Sequence, residues 1–325
     1  MAPFSEARVL FEPSDRDQRF LPEGPYDLGQ GRFSWVGIQH GASAKYGSLN
    51  IFHVATGQNQ SFRLPGRPGF ARPTNDANKF VIGMERELGV FDTQNQSWQA
   101  FCTDIDSDVD NTIVNDGTLW HDNLIFGTKD LEFKTKKAGL YLYRGSDHQL
   151  IRLRSDQICS NGKAVRTTKE GKLELLDIDT PTRKVVCYEI DIAGGRLGQG
   201  TTLLDLAGAT GFPDGMALSP DGRSAIISFY NPEEADFGLT QQYNLQSGEL
   251  EMSWHTPGSP QNTCPLLLAL PSGQMQLVIT TAIEHMPVER QSRAPQSGCL
   301  FVADTHFATP TSSPPTFALS AVGCH

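Results

Sequence analysis

Two carboxylates and two carboxamides recur along this chain in short glycine-containing phrases. They are Glu23 in Pro22-Glu23-Gly24-Pro25, Asn115 in Asn115-Asp116-Gly117, Asn161 in Ser160-Asn161-Gly162 and Asp214 in Pro213-Asp214-Gly215. Brought together, they would offer oxygen donors only, the set that a hard divalent cation prefers. Calcium suits that set best, with zinc, magnesium and manganese as alternatives. A cation held by so few protein groups keeps positions for water and substrate, as catalytic metal sites do. Each phrase taken alone is also an ordinary loop or turn, and Asn-Asp-Gly and Ser-Asn-Gly are hairpin signals. Spacing is what sets the four apart. With Arg72 and Cys264 counted as markers of the same kind, successive positions lie 43 to 53 residues apart.

That spacing belongs to a repeated element. Helix-period patterns are nearly absent, and short alternating or β-branched runs bounded by Gly, Pro, Asn and Asp recur from end to end, which predicts an all-β fold. Arg32 to Ile38 with Leu49 to Val54, Phe80 to Gly83 with Gly89 to Asp92, and Leu124 to Gly127 with Gly139 to Tyr143 are successive copies of one phrase. Leu173 to Asp177 with Val185 to Glu189, Ser224 to Ser228 with Leu239 to Tyr243, and Gln276 to Thr280 with Gly298 to Val302 bring the copies to six. A self-similar unit of this length with four short strands is the signature of a propeller blade. The expectation is a six-bladed β-propeller forming a single domain over residues 1–325. Arg8 to Phe11 and Thr316 to Leu319 are expected to share a blade and so remove an exposed edge. In such a fold the heads of the innermost strands face one another around a channel, which would bring the four polar residues together.

Bulk properties narrow the function further. The formal charge of −10 argues against nucleic acid and anionic membrane as partners, since both reward a positive surface. The N-terminus has no positive segment followed by an apolar one, and the longest apolar runs are too short to span a bilayer, so a cytoplasmic protein is expected. Six cysteines, at 102, 159, 187, 264, 299 and 324, show no CxxC spacing and are read as reduced thiols. No GxSxG elbow, HExxH, P-loop or complete GxGxxG is present, and the eight histidines are dispersed.

The ordered set Leu21 to Pro25, Asn115-Asp116-Gly117, Ser160-Asn161-Gly162 and Pro213 to Ala217, with the tail from Thr263-Cys264 to Phe301, resembles the regucalcin (senescence marker protein), gluconolactonase and luciferin-regenerating enzyme family. The likeness covers almost the whole chain. It implies a six-bladed propeller with one divalent metal in its channel and, in many members, hydrolysis of sugar lactones. It also implies Glu23, Asn161 and Asp214 as metal ligands, Asn115 as a substrate contact that also reaches the metal, and Glu132 as a sugar-binding residue. One departure stands out. Regucalcin-type members carry an arginine two residues before the asparagine of the NDG segment, where this chain has Ile113. An isoleucine cannot bind hydroxyls bidentately, which points to a less polar substrate or to an arginine from elsewhere, with Arg72 as first candidate.

The expected reaction is ring opening of a small-molecule lactone. The metal polarises the carbonyl, and Asp214 acts as general base on the attacking water or only orients a water the cation has activated. Organophosphate or other esters are the alternative substrates, and a non-enzymatic metal-binding or interaction propeller is the alternative role.

Overall fold

The alternating runs become strands and the glycine-rich phrases between them become turns. The computed structural model describes residues 2–322, and their regular structure is β apart from isolated helical turns. At Ser219-Pro220-Asp221-Gly222 the glycine takes φ +67°, and its N–H donates to the Ser219 carbonyl at 2.8 Å. That tight turn joins Phe212–Leu218 to Ser224–Tyr230. No helix among the described residues is long and apolar enough to cross a membrane. Cysteines 102, 159, 187, 264 and 299 form no disulfide, and Cys324 lies outside the described residues.

Six sheets form, each built as an antiparallel meander, and the chain divides into two compact units. One unit contains the residues up to Arg67 together with Leu206–Pro314. Its first sheet runs Pro22–Gly29, Arg32–Gly37, Ser48–His53, Gln58–Arg63 in that order. Its second runs Phe212–Leu218, Ser224–Tyr230, Phe237–Asn244, Leu250–Pro257, with Phe4–Glu6 added in parallel at the outer edge. Its third runs Asn262–Ala269, Gln274–Thr281, Leu300–Ala308, and takes its fourth strand, Arg8–Phe11, from the other end of the chain. Residues two apart point to one face, so Phe33 and Trp35 enter the same core with Phe52, Leu268, Val278 and Leu300.

The other unit holds Pro68–Asp205 and the C-terminal residues from Pro315. Its sheets run Pro68–Pro73 to Ser97–Cys102, Thr112–Trp120 to Gln149–Gln157, and Ser160–Thr167 to Lys184–Asp191 with two short outer strands. Phe317 was expected beside Arg8–Phe11, but it bridges to Thr74 and is fully buried with Phe70, Val114 and Phe126. The physical reason is twofold: Arg8–Phe11 already occupies that sheet edge, and Pro314-Pro315 cannot donate to a ladder.

One irregularity recurs six times. Each first strand shifts register near its start, between Glu23 and Tyr26, Pro68 and Phe70, Val114 and Gly117, Ser160 and Lys163, Pro213 and Met216, and Asn262 and Pro265. A β-bulge re-aims the side chains at the insertion and bends the strand.

Candidate functional site

The polar phrases singled out from the sequence are these bulges. Asn115-Asp116, Asn161-Gly162, Asp214-Gly215 and Gly24-Pro25 sit inside their strands, between paired residues on either side, so none of them is a hairpin turn, and Glu23 is the paired residue just before its bulge, opposite Val36. Here the glycine gives one strand room to approach the next. A Cβ on Gly215 would lie 2.5 Å from Cys264 Sγ, and one on Gly69 would lie 1.9 Å from the Asn115 carbonyl oxygen.

In the second unit, Asn115 and Asn161 meet directly. The Asn115 Nδ2 group donates to the Asn161 Oδ1 and to the Ser160 carbonyl, each at 2.9 Å. Both of its hydrogens are thereby used, and its own Oδ1 is left to accept from a ligand. The Asn161 Nδ2 donates to Thr180 Oγ1 at 2.8 Å, which orients that carboxamide with its oxygen toward Asn115. The Cys159 thiol lies against both, 3.5 Å from Asn161 Nδ2 and 4.0 Å from Asn115 Nδ2.

Beneath the pair lies a set of buried charges. Lys163 Nζ donates to the Asn161 main-chain oxygen at 2.6 Å and pairs with Asp177 at 3.1 Å, and Asp177 also accepts from Gln157 at 2.5 Å. Burial pushes the Asp116 carboxyl up from its ordinary value, against the opposing pull of Lys163 and Arg72. Burial likewise raises Asp179, which accepts from the Ile158 and Cys159 amides. Lys163, Asp177, Thr180 and Cys159 carry no motif in the sequence. Only an alternation of charge inside otherwise apolar strands could have flagged the first two.

In the first unit, Asp214 lies in the bulge of its strand and Glu23 just before that of its own, and both are nearly buried. The Glu23 Oε2 accepts from the Gly24 N–H at 2.6 Å. The Asp214 bulge abuts Cys264, and Thr263 next to it donates to the Pro22 carbonyl at 2.7 Å, so the strand segments that carry the two acids flank a third bulge. Tyr230 stands nearby, its hydroxyl donating to the Glu284 carbonyl. Burial pushes that phenol well above its usual range, and the charges of Glu284 and Asp214 push it further.

Other expected residues are placed differently. Arg72 does not occupy the position equivalent to Asn115, because the bulge of its strand falls at Gly69. Its guanidinium donates to the Ala71 carbonyl at 2.8 Å and to the Gly117 carbonyl, so it ties two strands together. Glu132 is exposed on the turn after Asn123–Asp130 and accepts from Asn111 at 3.2 Å. Ile113 is buried, with its Cα in register with Lys129. Among the described residues no three His, Cys, Asp or Glu side chains gather as a metal-binding group. The expected ligand set is of another composition, two carboxylates and a carboxamide.

Residues 21–283 match the family described as SMP-30/Gluconolactonase/LRE-like region. The chain is 26% identical over 188 residues to a putative sugar lactone lactonase, YvrE, of Bacillus subtilis, covering 58% of each. It spans 34% and 58% of the lengths of two curated relatives that it matches. Among solved structures it resembles a calcium-binding protein, regucalcin, of Agrobacterium tumefaciens, with TM-score 0.77, 21% identity and coverage of 98% of this chain and 99% of that one. It also resembles a gluconolactonase of Xanthomonas campestris, with TM-score 0.63, 14% identity and coverage of 93% and 91%. At these identities the likeness shows the fold, which is a six-bladed β-propeller.

Proposed function

The chain belongs to the SMP-30/Gluconolactonase/LRE-like family, and from that premise we propose that it is a divalent-metal-dependent hydrolase that opens lactone rings, its whole length acting as one catalytic domain. The observation that supports this best is the pinned carboxamide pair. Thr180 and Asn115 fix Asn161 so that it offers an oxygen, and Asn115 offers a second oxygen acceptor beside it. With the carboxylates of Glu23 and Asp214, one beside and one in the bulge of its strand, the donors fit a hard cation, calcium first.

Glu23, Asn161 and Asp214 would hold the ion. When bound, a divalent cation supplies Lewis-acid polarisation of the lactone carbonyl, worth several kcal/mol of barrier. Asp214 takes a proton from the attacking water, and that proton passes to the ring oxygen as the acyl C–O bond breaks. Asn115 orients the water or a neighbouring hydroxyl through its free Oδ1. Its Nδ2 is committed to Asn161 and Ser160, so it acts as an acceptor.

The test is turnover of a lactone panel with and without chelator. Hydrolysis should stop on chelation and fall by roughly 10²–10⁴-fold in Asp214→Ala, the usual worth of a general base. Lys172→Ala, at an exposed ion pair, should leave it unchanged. Chelator-resistant hydrolysis would overturn the metal role. Phosphotriester turnover without lactone turnover would move the substrate class.

A further inference from the structure

We propose that Lys129 selects the substrate of this site by pairing with an anionic substituent next to the bond that is cut. The proposal rests on the lactonase reading above. Lys129 lies near the end of the strand Asn123–Asp130 and is only 6% exposed. Its Cα is in register with Ile113 on one side and with Cys159 on the other. Directly opposed residues share a face of the sheet, so the Lys129 stem runs along the Ile113 side chain. Cys159 is the residue whose thiol touches both Asn115 and Asn161. Lys129 therefore borders the carboxamide pair.

Its ammonium has no counter-charge. Among the described residues no carboxylate or carbonyl pairs with it, and its partner is the Phe133 ring, with Nζ 5.8 Å from the centroid. The adjacent carboxylate, Asp130, points to the other face and is taken up by the amides of Glu132, Lys134 and Thr135 and by Lys137. Lys163, the comparably buried lysine of this unit, has both a carboxylate and a carbonyl. A buried charge without a partner is costly, and a cation–π contact returns only part of that cost. A neutral hydroxyl could solvate the ammonium, but only an anion neutralises it. Ile113 then has a role of its own: it is the apolar wall against which the lysine stem packs.

The experiment compares a γ-lactone carrying a ring carboxylate with the same lactone as its carboxamide, in wild type, Lys129→Met, Lys129→Gln and Lys129→Arg. Wild type should prefer the carboxylate by roughly ten- to hundred-fold in kcat/KM, the worth of a hydrogen bond to a charged group, with the difference in KM. The preference should collapse toward unity in the Met and Gln variants and persist in the Arg variant. A wild type indifferent to the carboxylate, or a Met or Gln variant that keeps the preference, overturns the assignment. If neither lactone is hydrolysed, the lactonase reading falls by itself. Lys129 is then judged by calorimetry with the corresponding cyclic ether carboxylate and carboxamide: a carboxylate preference lost in Lys129→Met sustains it, and equal binding in wild type overturns it.

Discussion

Ile113 and Thr180 show how single side chains tune the site without touching the reacting bond. Ile113, buried two residues before Asn115, cannot hydrogen-bond a substrate, so on the proposed function a polyhydroxylated lactone would lose hydrogen bonds worth about 1.5–3 kcal/mol. Neutral lactones with few hydroxyls or an aliphatic tail should therefore be turned over better than gluconolactone. Ile113→Arg should narrow or reverse that ranking, as steady-state kinetics on one such pair would reveal; a wild type that already prefers gluconolactone would refute it. Thr180 acts one bond further away. It accepts the Asn161 Nδ2 hydrogen and so turns toward Asn115 the carboxamide oxygen that is proposed to meet the ion. Thr180→Val should raise the metal dissociation constant by about 10–100-fold, the usual cost of losing an outer partner of a ligand. Metal titration followed by thermal shift measures it, and unchanged affinity would mean that Asn161 needs no such support.

At the scale of elements, two buried devices hold the strands that carry the site. Against the effect of its burial, the Thr135, Glu132 and Lys134 amides and Lys137 hold the Asp130 carboxyl down at about 2. A depressed carboxyl contributes stability that is present above its unfolded value and is lost as pH falls toward the folded one. Asp130→Asn should accordingly cost about 2 kcal/mol at neutral pH, a difference that fades between about pH 4 and pH 2. Urea unfolding of both proteins across that range tests the sign: a gap that widens on acidification would contradict it. The second device is the Lys163–Asp177 pair under Asn161. Lys163→Met leaves a buried carboxylate alone and should cost about 3–5 kcal/mol, whereas Lys163→Met with Asp177→Leu should return near or above wild-type stability. Equal thermal midpoints for the single and double variants would show that the pair is not coupled.

For the molecule as a whole, the N-terminal strand is the critical seam. Arg8–Phe11 completes the sheet of Asn262–Ala269, Gln274–Thr281 and Leu300–Ala308, and Val9, Leu10 and Phe11 pack against the cores of the first unit. Removing residues up to Phe11 exposes the hydrogen-bonding edge of Leu300–Ala308 and strips those apolar contacts. An unpaired edge is a template for association. The truncated protein should melt well below the full chain and scatter light at concentrations where the full chain does not. A monomeric truncation with an unchanged midpoint would show that the seam contributes nothing.

The period of about 48 residues, the alternation within each run and the turn chemistry at Ser219 to Gly222 depend only on local preference, and they were enough to specify the six sheets from the sequence. Glu23, Asn115, Asn161 and Asp214 could be singled out in the same way, because their phrases recur at the repeat. What those phrases do was not legible: Asn-Asp-Gly codes for a hairpin turn and for a bulge alike, and only pairing with the neighbouring strand decides between them. Arg72 was misplaced for the same reason, since a glycine, Gly69, marks the bulge of its strand and carries no side chain to signal it. Lys129, Lys163 and Asp177 gave no signal in the sequence. Their roles come from what lies across the sheet from them, and cross-strand register is settled by the packing of distant segments, which no local pattern encodes.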